Sequence, residues 1–136
     1  MDQSITLRTR TEVYCTVQIE ATHNWPDCPF DEVDYLRVPH RHVFHIKAYA
    51  PVTHSDRDVE FIMLKHKIRD YLVNKYGVFE TIPTVKGTST YYTHCVFGAM
   101  SCEMLAEELI GRFHLTCCEV SEDNENGALV RVEQAY

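Results

Sequence analysis

The chain has 136 residues and a formal charge of −7, from 13 lysines and arginines against 20 aspartates and glutamates. Hydrophobic residues make up 45% and charged residues 24%, which indicates one globular domain spanning residues 1–136 and excludes a disordered or fibrous chain. The basic residues are scattered, and recognition through phosphates needs a concentrated basic face. We therefore expect no nucleic acid partner.

The compartment follows from apolar runs and cysteines. No apolar run reaches the roughly 18 residues of a membrane-spanning helix, so we expect no membrane partner. The first ten residues lack the apolar segment of a secretory signal, and we expect a cytoplasmic protein. None of the six cysteines forms a Cys-x-x-Cys pair, so we interpret them as free thiols. Eight histidines in so short a chain indicate metal or proton chemistry.

The first part of the chain predicts two strands joined by a long loop. From Ile5 to His23 apolar and polar residues largely alternate, which predicts a strand with one buried face. From Asn24 to Pro39 three prolines and four acidic residues break both regular periods and predict a loop. From His40 to Val52 the pattern predicts a second strand.

The middle of the chain predicts two helices. From Asp58 to Tyr76 the apolar residues lie three and four apart, which predicts an amphipathic helix. From Val78 to Met100 no regular period is visible. Ser101 is placed to cap a second helix that runs through Arg112.

The last part of the chain predicts an antiparallel hairpin. Strands from His114 to Glu122 and from Ala128 to Glu133 flank the sequence DNENG, which favours a turn. The order of elements is then β, β, helix, helix, β, β. It predicts an α+β fold in which a four-stranded antiparallel sheet carries two helices on one face.

Three histidines gather where the first two predicted strands meet their connecting loop. His40 and His42 lie two apart, so their side chains leave one face of the sheet about 6 to 7 Å apart. His23 ends the first strand, and an antiparallel neighbour about 4.8 Å away can place it beside this pair. Three imidazoles with an open fourth position are typical of a catalytic zinc site. The alternative interpretation is three separate surface histidines.

Five short segments share a pattern with a known family. They read IEATH to His23, PHRHVF from Pro39, DVEFIMLK from Asp58, SCEMLA from Ser101 and VSE to Glu122. In this order they resemble F-x-A-x-H, H-G-H-x-Y/F, M-V-x-D-F-x-x-L-K, T-S-E-N-L-A and V-x-E. These patterns belong to the 6-pyruvoyltetrahydropterin synthase and 6-carboxytetrahydropterin synthase family, which has the tunnelling fold.

The resemblance implies a fold, an activity and a set of site residues. The tunnelling fold closes its sheet into a barrel when copies assemble, so the chain would be a homo-oligomer, a trimer or a hexamer. The activity would be that of a zinc-dependent lyase acting on the side chain of 7,8-dihydroneopterin triphosphate or a related pterin. The resemblance assigns Zn²⁺ to His23, His40 and His42, and the pterin ring to Glu122, with Glu103 and Ser101 as further substrate-binding candidates.

The sequence departs from the family in its acid and base groups. Nothing between Lys75 and Ser89 resembles the family's L-D-H segment, which supplies a proton relay. Cys28, the only cysteine of the loop, is our candidate base, since a thiolate beside a cation can take a proton. His94 is the candidate second proton carrier. The plain alternatives are a thiol and a histidine without catalytic roles.

The departures keep more than one functional hypothesis open. The motifs do not separate a 6-pyruvoyl product from the 6-carboxy product made on the route to 7-deazaguanine compounds, such as queuosine. The second hypothesis is a diverged tunnelling-fold protein that binds a pterin or purine-like ligand without catalysis.

Overall fold

Six strands form one open sheet in the part of the chain that the computed structural model describes, residues 6–133. Ile5, where the predicted first strand begins, lies outside the described residues. The elements are β1 (Glu12–His23), a 3-10 helix (Asp31–Arg37), β2 (His40–Pro51), α1 (Phe61–Tyr76), β3 (Gly77–Thr84), β4 (Gly87–Gly98), α2 (Cys102–Phe113), β5 (Cys117–Glu122) and β6 (Asn126–Arg131).

The strands lie in the order β3, β4, β1, β2, β5, β6, and every neighbouring pair except β1 and β4 is antiparallel. The α+β class is confirmed, whereas the prediction of four strands, all antiparallel, is wrong. The two additional strands form a hairpin in the segment that showed no period. Most of β3 is exposed on both faces, so its residues need not alternate in polarity.

Both helices cover one face of the sheet and build the core there. β1 and β2 turn every second residue toward this face, with Ile19 and Phe44 almost fully buried. α1 contributes Leu64, Ile68 and Leu72 to this core, and these residues are spaced four apart and buried. α2 contributes a similar stripe that includes Leu105 and Leu109.

The helix starts depend on local capping. α1 begins at Phe61 and not at Asp58, because the Glu60 side chain accepts a hydrogen bond from the Met63 backbone N–H at 2.7 Å. Asp58 instead accepts from the backbone N–H of Thr53 at 2.8 Å, which holds the preceding loop. α2 begins as predicted, with the Ser101 hydroxyl accepting from the Met104 N–H at 3.2 Å. None of the helices in the described part of the chain has the length and apolar character of a membrane span.

Candidate metal centre and adjoining cavity

The register between β1 and β2 brings three histidines together. His23 pairs with His40, and His42 pairs with Ala21, so all three side chains lie on the face that the helices cover. Their ring centroids are 4.6 to 5.4 Å apart. One ring nitrogen from each histidine lies within 4.8 Å of the others. The cluster ends the apolar core, because the ring of Phe44 packs edge-on at 5.0 Å from that of His23.

Hydrogen bonds fix the orientation of all three imidazoles. Nδ1 of His23 lies 3.0 Å from the Met100 carbonyl oxygen, and Nδ1 of His40 lies 2.9 Å from that of Val38. A carbonyl oxygen only accepts, so these two rings carry their proton on Nδ1 and keep the Nε2 lone pair when they are neutral. Nδ1 of His42 lies 2.6 Å from Oδ2 of Asp123. Metal-binding histidines are typically oriented by such bonds.

The Nε2 atoms show that the residues fit a cation. Nε2 of His23 and of His42 are buried and have no hydrogen-bond partner among the described residues. Glu122 brings one oxygen to 3.0 Å from Nε2 of His23 and the other to 3.3 Å from Nε2 of His42, but neither contact has hydrogen-bond geometry. A metal ion can satisfy lone pairs that converge in this way beside a carboxylate.

The protonation states suit metal binding as well. Burial lowers the pKa of His23, although the Met100 carbonyl and the Glu122 carboxylate act in the opposite direction. His23 is therefore neutral at neutral pH, the form that ligates a metal. Hydrogen bonds from His42 and from the Val43 N–H lower the pKa of Asp123, so this carboxylate is ionised.

A cavity of about 530 Å³ opens beside the cluster. His23 and His40 form part of its wall, and Trp25 and Met100 add apolar surface. The three residues predicted to bind substrate line the same cavity; they are Ser101, Glu103 and Glu122. The structure thus brings the predicted metal ligands and the predicted substrate-binding residues to one place.

Two residues of this site were not recognised from the sequence. Cys102 lines the cavity, and its Sγ lies 3.8 Å from Oε1 of Glu122. Burial, followed by the charges of Glu122 and Glu103, raises the pKa of Cys102 to about 12, so its thiol is a donor at neutral pH. Asp123 directly follows the V-x-E segment, where an aspartate is an ordinary turn residue. The sequence alone therefore offers no sign of its contact with His42.

The structure does not bring the two predicted acid and base residues into this cavity. Cys28 is 2% exposed, and its Sγ lies 3.8 Å from the carbonyl oxygens of Phe30 and Val33. His94 lies on β4, where its ring contacts the Thr93 hydroxyl at 2.9 Å. Its neighbour Cys95 faces the core, so His94 belongs to the opposite face of the sheet. Neither residue lines the cavity.

Comparison with solved structures supports the fold inferred from the sequence segments. The 6-pyruvoyltetrahydropterin synthase of Plasmodium vivax, in variants whose catalytic glutamate is replaced by alanine or by cysteine, matches with a TM-score of 0.54 and 12% identity. Each match covers 93% of this chain and 100% of that chain. The enzyme of Plasmodium falciparum matches with a TM-score of 0.48 and 14% identity, over 90% of this chain and 98% of that chain.

The similarity to the Plasmodium vivax structures defines the class of fold. This chain has the fold of 6-pyruvoyltetrahydropterin synthase, as the resemblance implied. At the level of sequence, no protein-family model and no curated protein matched it.

Proposed function

We propose that the protein is a zinc-dependent carbon–oxygen lyase that acts on the side chain of 7,8-dihydroneopterin triphosphate or a related pterin, in the manner of 6-pyruvoyl- or 6-carboxytetrahydropterin synthase. The observation that carries the proposal is the convergence of three oriented imidazoles beside a cavity whose wall includes His23, His40 and Glu122. The shared fold is consistent with it.

His23, His40 and His42 would hold the metal through Nε2, with the fourth position open to the cavity. When bound, zinc supplies Lewis acidity that makes neighbouring O–H and C–H protons of a substrate easier to remove. The protein holds each ring in place through its Nδ1 contact, so the three rings would need little rearrangement to bind an ion.

Glu122 would recognise the pterin ring. A carboxylate can accept two parallel hydrogen bonds from a ring N–H and an exocyclic amine, and such bonds are short and directional. Cys102 donates to Oε1 of Glu122 and steadies the carboxylate. Trp25, which is 44% exposed at the cavity, offers an aromatic face against which a flat ring can stack.

The proton transfers are assigned to groups that line the cavity. General acids and bases must come within hydrogen-bond reach of the reacting atoms, directly or through one water. Since Glu122 is assigned to the ring, Glu103 meets that condition better than Cys28 and His94, which lie outside the cavity wall. The proposal therefore gives Cys28 and His94 no proton-transfer role.

The assembly is a further part of the proposal. β3 and β6 are the outer strands of the open sheet, and uncovered edges favour pairing with another chain. A homo-oligomer, a trimer or a hexamer, would pair these edges and close the sheet into a barrel. Sedimentation at micromolar concentration should then show no stable monomer.

A second candidate is a protein that binds a pterin or purine-like ligand without catalysis. The positions of Cys28 and His94 outside the cavity favour it, since both were the sequence's candidates for proton transfer.

One experiment separates the two functions. Zinc-loaded protein is mixed with 7,8-dihydroneopterin triphosphate, and release of triphosphate and acetaldehyde is followed alongside ligand binding. Release of triphosphate supports the lyase, and acetaldehyde in addition identifies the 6-carboxy product. Binding without release of either supports the binder, and the absence of both binding and release contradicts the two proposals together.

A further inference from the structure

The turn between β5 and β6 carries a carboxylate that contacts the histidine cluster from outside the cavity. We infer that Asp123 is a positioning residue for the metal centre, holding His42 through its Nδ1 so that Nε2 points at the ion. This inference rests on the proposed metal site. The contact between Asp123 Oδ2 and His42 Nδ1 measures 2.6 Å, the length of a strong charge-assisted hydrogen bond.

Asp123 is itself held firmly against β2. Its other oxygen, Oδ1, accepts from the Val43 N–H at 2.9 Å, and its own N–H donates to the Val43 carbonyl at 2.8 Å. Val43 directly follows His42, so three contacts tie the turn to the strand at the ligand. The φ of +54° at Asp123 is in the left-handed region, which aspartate and asparagine tolerate better than most residues.

Asp123 differs from the groups that hold the other two ligands. His23 and His40 are oriented by backbone carbonyls, which no substitution removes, whereas His42 is oriented by a side chain with a full negative charge. A carboxylate behind an imidazole fixes the tautomer and makes the ligand a better donor to the metal. His42 should therefore depend on its outer partner more strongly than the other two ligands.

The same turn also fixes the residue proposed to bind the ring. Glu122 precedes Asp123 directly and pairs with Phe44 across the sheet. The contacts of Asp123 with β2 thus set both the metal ligand and the neighbouring carboxylate. Loss of the Asp123 charge should lower metal affinity and alter the coordination of the ion. It should change the stability of the metal-free fold only weakly.

The test compares Asp123→Asn with a matched control in the same turn. Asparagine keeps the shape and tolerates the positive φ, but it removes the charge behind His42. Glu125→Gln removes one charge from an exposed neighbour that has no side-chain partner among the described residues. Zinc affinity is measured by competition with a chromophoric chelator, the Co²⁺ absorption spectrum reports coordination, and thermal unfolding of the metal-free proteins reports the fold.

We expect Asp123→Asn to bind zinc about 10- to 100-fold more weakly than wild type and to shift the Co²⁺ bands, since loss of an outer partner typically has an effect of this size. Glu125→Gln should keep zinc affinity within about twofold of wild type and leave the Co²⁺ bands in place, because surface charges at a distance are screened. Unchanged affinity and spectrum in Asp123→Asn would overturn the inference. Equal losses in both variants would also overturn it, because they would indicate a general charge effect.

His42→Ala distinguishes failure of this inference from failure of the metal site. If His42→Ala loses zinc while Asp123→Asn binds it normally, the proposed metal site is supported and the positioning role of Asp123 is wrong. If His42→Ala binds zinc like wild type, the proposed metal site itself is wrong, and the role of Asp123 falls with it.

Discussion

The cavity end of the sheet and the β3–β4 hairpin use the same kind of secondary structure for different purposes. At the cavity end, β1, β2 and β5 turn one face toward the helices, and polar side chains at their ends are fixed by several partners. The hairpin is exposed along most of β3 and is held by contacts such as that of Tyr91 with Glu80. The comparison indicates that strands buried on one face hold the side chains of the site in place, whereas the exposed hairpin only widens the sheet.

The largest expected difference between the two regions is in stability. Ile68 of α1 is fully buried, so Ile68→Ala should lower the free energy of unfolding by about 2 to 5 kcal/mol. Ile82 of β3 is 46% exposed, and Ile82→Ala should lower it by about 0.5 kcal/mol or less. Urea unfolding of both variants measures the contrast. Similar losses would show that Ile82 is buried in solution, either within the chain or against a second copy in the proposed homo-oligomer.

A smaller but more specific difference concerns ligand binding. Glu122→Gln removes the charge proposed to accept from the pterin ring, and ligand affinity should fall about 10- to 100-fold, as expected for hydrogen bonds to a charged group. Glu80→Gln is the matched change in the hairpin, where the carboxylate accepts from the Tyr91 hydroxyl at 2.7 Å, and it should leave ligand affinity unchanged. Calorimetric titration with a non-hydrolysable pterin measures both variants. An unchanged affinity in Glu122→Gln would remove this residue from the site.

The smallest effects are expected at the two acid and base residues inferred from the sequence alone. Cys28→Ala and His94→Ala should each retain turnover within about threefold of wild type, because groups outside hydrogen-bond reach of the substrate contribute little to proton transfer. Steady-state rates with zinc-loaded protein provide the measurement. A loss of about 100-fold or more in either variant would return the proton transfer to that residue.

Much of the fold could be predicted because the central strands are buried on one side. Alternation in β1 and β2 and the four-residue spacing in α1 follow directly from contact with one core. The β3–β4 hairpin was missed because exposed strands need no such alternation. The start of α1 was placed three residues early, since Asp58 caps the preceding loop and Glu60 caps the helix. Capping by either acid fits the sequence equally well.

The grouping of the three histidines was predictable because strand period and resemblance acted together. His40 and His42 share a face through their spacing, and the β1–β2 register adds His23. Asp123 depends on the conformation of a turn and on a contact across 81 positions, which no local pattern encodes. The orientation of Cys28 depends on a 3-10 helix and on the bond from Arg37 Nε to the Cys28 carbonyl at 2.8 Å. Its isolation as the only loop cysteine made it a candidate but did not place it in the cavity.

X-ray absorption at the zinc edge tests the central claim most directly, since it reports the identity and number of the ligands around the bound ion. Wild-type protein is loaded with one equivalent of zinc and compared with His42→Ala. We predict three imidazole nitrogens at about 2.0 to 2.1 Å with one further light atom, and a loss of this signal in the variant. Sulfur neighbours at about 2.3 Å, or an identical spectrum in His42→Ala, would contradict a metal centre built from His23, His40 and His42.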